Sequence, residues 1–184
     1  MRFDRLDFSA HGDTLLAVVV GALLATLSGV LANQFEAAMH RRERERAAAM
    51  LFGEVISSLL VLLDSAHAAR GVGDPYGPVT RRILQSARRE IDIYERNRES
   101  VLHLREPSLR VDIHTLMVRI SMPLDGVLDS FLSPATANDE ARARGLEFMM
   151  ANVAALPGIV DRLGRIARHK FERPGDIRPS PAAR

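Results

Sequence analysis

The chain has no cysteine, no tryptophan and a single lysine, Lys170, and only 5% of its 184 residues are aromatic. The missing cysteine excludes disulfides, thiolate catalysis and cysteine-ligated metals. So few aromatics, without tryptophan, leave no stacking platform for single-stranded nucleic acid. A surplus of one charge is also missing. The 25 basic residues stand against 23 acidic ones, and a formal net charge of +2 makes no field for nucleic acid. The pI near 9.6 reflects arginine, which supplies 24 of the 25 cations. Proline is absent from Met1 to Asp74, so nothing in that stretch has to interrupt a helix. No run has the period of a strand, and no internal repeat is visible.

Catalytic signatures are absent too. The histidines are His11, His40, His67, His103, His114 and His169, and no two share a metal-ligand spacing such as His-Glu-x-x-His. Glu36 with His40 and Glu99 with His103 are surface pairs at a spacing of four. Asp125 and Asp129 share a helical face, where a solvated pair is expected rather than an acid/base couple. No G-x-S-x-G elbow occurs, and the glycines of GVGDPYGP follow no strand and precede no Lys-Ser/Thr, so they make no phosphate loop. No enzyme activity, no metal, no cofactor and no nucleic-acid partner are expected.

What is present is a long apolar run, LLAVVVGALLATLSGVLA, Leu15 to Ala32, uncharged throughout. A bilayer core of roughly 30 Å needs about 20 apolar residues at about 1.5 Å each. Thr14, Asn33 and Phe35 extend the run to that length. A soluble core helix would keep a polar face, and this run has none. Val30-Leu31-Ala32 suits a signal peptidase, but the preceding MRFDRLDFSAHGD is net negative where a signal peptide is positive. A retained transmembrane helix is the reading, over residues 13–35 after a flank at 1–12. Arg41, Arg42, Arg44 and Arg46 of the exit HRRERER outnumber Arg2 and Arg5, which places the N-terminus outside and the body in the cytoplasm. Ala17, Gly21, Ala25 and Gly29 recur every four residues and form a stripe on which a partner helix could pack. The exit cluster is a solvated face or a site for anionic headgroups, with Glu43 placed to pair with Arg46.

Beyond the exit, offsets of three and four continue, as in Phe52, Val55, Ile56, Leu59, Leu60 and Leu63. One helix is expected from about Asp13 to Arg70, with Gly71 as its cap. The body, residues 36–173, is expected to hold helices at about 36–70, 79–105, 107–131 and 138–171, with 174–184 a disordered tail. Pro123 and Pro157-Gly158 should kink the third and fourth helices, and Thr136 or Asn138 should cap the fourth. Short links favour antiparallel neighbours. The fold class is therefore all-α: an N-terminal transmembrane helix continuing into an antiparallel four-helix bundle.

Tyr94 and Asn97 enter the stripe of the second helix, where a buried asparagine needs hydrogen-bond partners. They are read as a tie that fixes helix register, or as a polar ligand site. Arg162, Arg165, Arg168 and Lys170 make the last helix basic, as a solvated face or a lipid contact. The apolar run, the HRRERER exit and the helical body with YERN resemble uncharacterised bacterial single-pass membrane proteins with an N-terminal span and a helical cytoplasmic body. That resemblance is one of organisation over residues 13–132 and implies no activity. It agrees with an interaction role: a scaffold, anchor or accessory subunit in the bacterial inner membrane, touching the lipid bilayer and a second copy or a larger membrane complex. A membrane-acting effector of the holin type and a ligand-binding bundle are the alternatives.

Overall fold

The computed structural model describes residues 8–69, 76–132, 139–155 and 158–171, with side chains from Val18 onward. Among them every regular element is helical: α1 (Phe8–Ala69), α2 (Pro78–Arg96), a 3-10 helix (Arg98–His103), α3 (Pro107–Ser130), α4 (Asp139–Ala155) and α5 (Ile159–Ala167). The chain divides into two compact units, Met1–Glu43 and Arg44–Arg184.

In the first unit the described element is the N-terminal part of α1. Its side chains from Val18 to Glu36 are exposed all round the helix, as an apolar run without a polar face requires.

The second unit has its own core. Phe52, Ile56, Leu59 and Leu63 of α1 recur at offsets of three and four and are fully buried. They join Leu84 and Ile91 of α2, Ile113, Met117, Ile120 and Leu124 of α3, Met149 of α4 and Leu163 of α5 in one cluster. Contacts between successive helices run antiparallel. As residue numbers climb on α1 they fall on the next stretch: Glu45 meets Arg105, Phe52 meets Tyr94 and Ser58 meets Glu90. Likewise Arg88 of α2 meets Asp125 of α3, and Tyr94 meets His114. Pro78 and Pro107 sit at the first positions of α2 and α3, where the missing N–H leaves nothing unpaired.

Several boundaries differ from the sequence reading. α1 begins at Phe8, inside the expected flank. The expected helix 79–105 is two pieces: α2 ends at Arg96, and a 3-10 helix covers Arg98–His103. Asn97 is the residue between them, with φ −107° and ψ 13°, and its amide bonds back to the carbonyls of Ile93 and Tyr94. The expected helix 138–171 is also two pieces. Gly158, at φ +88°, adopts a backbone that only glycine takes without strain, so the helix breaks where a kink was expected. Pro123 lies inside α3, which continues through it as one helix. The predicted caps Gly71, Thr136 and Asn138, and the tail 174–184, lie outside the described residues.

Candidate functional site

The apolar part of α1 presents Val18, Leu23, Leu24, Leu27, Leu31 and Phe35 to the outside, each about half exposed or more. Burying such side chains is worth about 1.5–3 kcal/mol each. Nine large apolar residues between Val18 and Phe35 are exposed, so leaving them in water forgoes roughly 15–25 kcal/mol, more than a typical domain's net stability of about 5–15 kcal/mol. Such a surface gains free energy by burial away from water. The two hydroxyls of the stretch are compatible with burial. Thr26 donates to the carbonyl of Ala22 at 2.8 Å and Ser28 to that of Leu24 at 2.7 Å, so neither is left without a partner away from water. Among the described residues α1 is the one helix long and apolar enough to cross a membrane.

Of the small-residue stripe, Gly21, Ala25 and Gly29 are exposed, and a Cβ built on Gly21 or Gly29 meets no atom within 4 Å. The face is open to a neighbouring backbone. The side chain of Ala17 lies outside the described residues.

The exit cluster is paired differently from the expectation. Glu43 does not take Arg46. It bonds His40 at 3.3 Å, and Glu36 takes the other ring nitrogen of His40 at 3.6 Å. In the second unit Glu45 reaches across to Arg105, accepting from its backbone amide at 3.1 Å and pairing with its guanidinium at 3.4 Å. Arg41, Arg42, Arg44 and Arg46 are exposed, and none makes an ion pair among the described residues.

Tyr94 is buried with its ring edge against Phe52, at 5.9 Å between centroids. Its hydroxyl shares a hydrogen bond with Nδ1 of His114 at 3.2 Å, and burial pushes its pKa up. Tyr94 is thus the tie between α2 and α3. Asn97 is not: it is half-buried, and its amide donates to the carbonyl of Ile93 at 2.8 Å, closing its own helix. The reading of Asn97 as a buried member of the stripe is corrected, because α2 ends before the stripe reaches it. His114 is the partner that sequence reading missed. Its place on α3, two residues after Asp112, carries no sequence signal for that contact.

Arg162 is also corrected. It is no free basic face but a clamp from α5 onto the start of α3: its guanidinium bonds Glu106, Asp112 (2.6 Å) and the hydroxyl of Ser108 (2.7 Å). The hydrogen bond from Arg162 holds the Glu106 carboxyl below the usual carboxylate range, and the same bond raises the arginine. Asp125, expected to be solvated beside Asp129, pairs with Arg88 at 2.8 Å. At the far end of α3, Arg142 donates to the carbonyl and hydroxyl of Ser130 and lies over the Phe131 ring at 4.5 Å, capping the helix and tying it to α4.

After α5 the chain folds back onto α1. Arg168 is left-handed at φ 56°, and the amide of His169 bonds the carbonyl of Gly164 at 3.0 Å, the wide bond of a Schellman cap. That turn delivers Phe171, 5% exposed, onto Gly53. Beside it lies an open groove of about 550 Å³ lined by Glu54, Ser57, Ser58, Val61, Leu62 and the 169–171 strap.

Among the described residues no group of three or more His, Asp or Glu could hold a metal ion. The arrangement is that of an all-helical protein with one long apolar helix and a separately packed helical body. No family model, no curated protein and no solved structure matches the chain.

Proposed function

We propose that this chain is a single-pass membrane-anchored interaction protein: a scaffold, anchor or accessory subunit in a bacterial inner membrane, without catalysis of its own. The observation that carries the reading is the apolar surface exposed on every side from Val18 to Phe35, with its two hydroxyls satisfied inside the helix. The second unit buries its own core without that surface, so the apolar stretch is spare for lipid. The body is read as an antiparallel four-helix bundle in which α4 and α5 together make the fourth member. The exposed arginines at 41, 42, 44 and 46, none ion-paired among the described residues, favour a cytoplasmic body and an external N-terminus. The open face at Gly21, Ala25 and Gly29 favours a partner span, from a second copy or another subunit.

Topology tests the anchor. A reporter active only in the periplasm, fused after Arg184, is expected to stay silent, and the chain is expected to resist alkaline carbonate extraction. Periplasmic activity, or a mature N-terminus at Asn33, would overturn the reading. Partnering is tested by Gly21→Ile with Ala25→Ile, which puts branched side chains where a backbone should approach. A membrane two-hybrid signal left unchanged by the pair removes the stripe as the contact.

A further inference from the structure

We propose that the corner between α2 and α3 is a membrane-facing foot of the helical body, one that sets Leu102 into an anionic lipid surface between arginines. The proposal rests on the membrane-anchored reading and extends it from the span to the body.

The corner is the 3-10 helix Arg98–His103 and the short link to Pro107. Val101 and Leu104 are buried and hold it to the core, while Leu102 stands out at 70% exposure. Such a residue has no packing role in the body. Its setting is basic: Arg98 and Arg105 are exposed on the same corner, and His103 follows Leu102. Glu45 bonds both the backbone amide and the guanidinium of Arg105, so the corner lies level with residue 45 of α1. At 3.6 residues per turn Arg44 and Arg46 flank Glu45 on either side of the helix. The end of the second unit where Arg105 meets Glu45 therefore carries Arg44, Arg46 and Arg98, all exposed and none with an ion pair among the described residues, together with the exposed Leu102. Glu45, the acid between the two arginines, is consumed by Arg105. Glu99 and Glu106 are the opposing charges exposed on the corner, and Glu106 is held by Arg162.

This is the end of the unit where α1 enters it. Arg44, the first residue of the unit, follows Phe35 by nine residues along the chain, so the corner is tethered close to the apolar run. Cations next to an anionic leaflet are drawn to it within about a Debye length, near 10 Å, and an apolar side chain among them adds burial at the acyl boundary. A protein partner would demand complementary acids and a larger apolar patch. One exposed leucine on the same end as arginines without an ion pair among the described residues matches phosphate headgroups over hydrocarbon.

The test uses the full chain in nanodiscs. Because the chain has no cysteine, His103→Cys supplies a single thiol beside an intact Leu102, and it is labelled with an environment-sensitive fluorophore. Discs are made of phosphatidylcholine alone or mixed equally with phosphatidylglycerol, each with and without doxyl-labelled lipid. Blue-shifted emission and doxyl quenching are expected in the anionic discs and not in the neutral ones. Leu132→Cys, at the other end of α3, is expected to be silent in both. Replacing Arg44, Arg46 and Arg98 by Gln should lower the ratio of docked to undocked corner about fivefold per arginine, and Leu102→Gln should lower it further. Salt of about 0.5 M should undo docking in the unsubstituted protein, which checks the electrostatics even where a variant folds poorly. Equal signals in neutral and anionic discs, or signals indifferent to salt and to the arginines, overturn the proposal. A chain that leaves the discs defeats the anchor itself, whereas a chain that stays with a silent probe defeats only the foot.

Discussion

Replacing Gly53 by alanine should destabilise the protein, although alanine is the better helix former. Gly53 is buried in the middle of α1, where Gly→Ala alone stabilises by about 1 kcal/mol. Here the added Cβ falls 2.1 Å from Cζ and 2.2 Å from Cε2 of Phe171, well inside van der Waals contact. The obstacle is a ring and not backbone, so the ring moves and α1 stays. The cost is then bounded by the burial of one phenylalanine, about 1.5–3 kcal/mol. The net loss is about 0.5–2 kcal/mol, or roughly 1–8 °C in Tm for a body of this size. The same substitution made in Phe171→Ala should reverse sign and stabilise by about 1 kcal/mol, since the ring is gone and only helix propensity remains. Thermal unfolding of the four proteins of this cycle, in one detergent, measures both values. Gly53→Ala with the same effect in both backgrounds would falsify the reading of Phe171 as a strap seated on α1.

Three more outcomes are expected. Arg168→Gly should raise the Tm, because the left-handed φ of 56° costs an L-residue about 1 kcal/mol or more that glycine does not incur; an unchanged or lower Tm would show that Arg168 makes a compensating contact. The Glu106 carboxyl titrates below its unfolded value because of Arg162, so its contribution to stability is present above the unfolded pKa and is lost as pH falls through the lower folded one. Glu106→Gln should flatten that acid limb in a urea series while changing the alkaline side little, and an unchanged acid limb would assign the loss to other carboxylates. Tyr94→Phe keeps the ring on Phe52 and removes the bond to His114, which should cost about 0.5–1.5 kcal/mol by urea unfolding; no loss would mean water replaces the hydroxyl.

The apolar run from Leu15 to Ala32 and the lack of proline before Pro75 were enough to call for a long helix whose N-terminal part has no polar face. The three-and-four spacing of Phe52, Ile56, Leu59 and Leu63 named a buried face by itself, as did that of Ile113, Met117, Ile120 and Leu124. These are local properties, because helix period and side-chain direction are set within one or two turns. Helix ends were less legible: Asn97 and Gly158 end elements through backbone conformations that no apolar period reports. The pairing of charges was not legible at all. HRRERER offers each glutamate several arginines at helical spacing, yet Glu43 goes to His40, and Glu45 goes to Arg105, sixty residues away. That choice, like the meeting of Tyr94 with His114 and of Phe171 with Gly53, exists only once helices distant in sequence lie side by side. Periodicity specifies which face of a helix is buried. Only the packed structure decides what that face, and the charges at its edge, will touch.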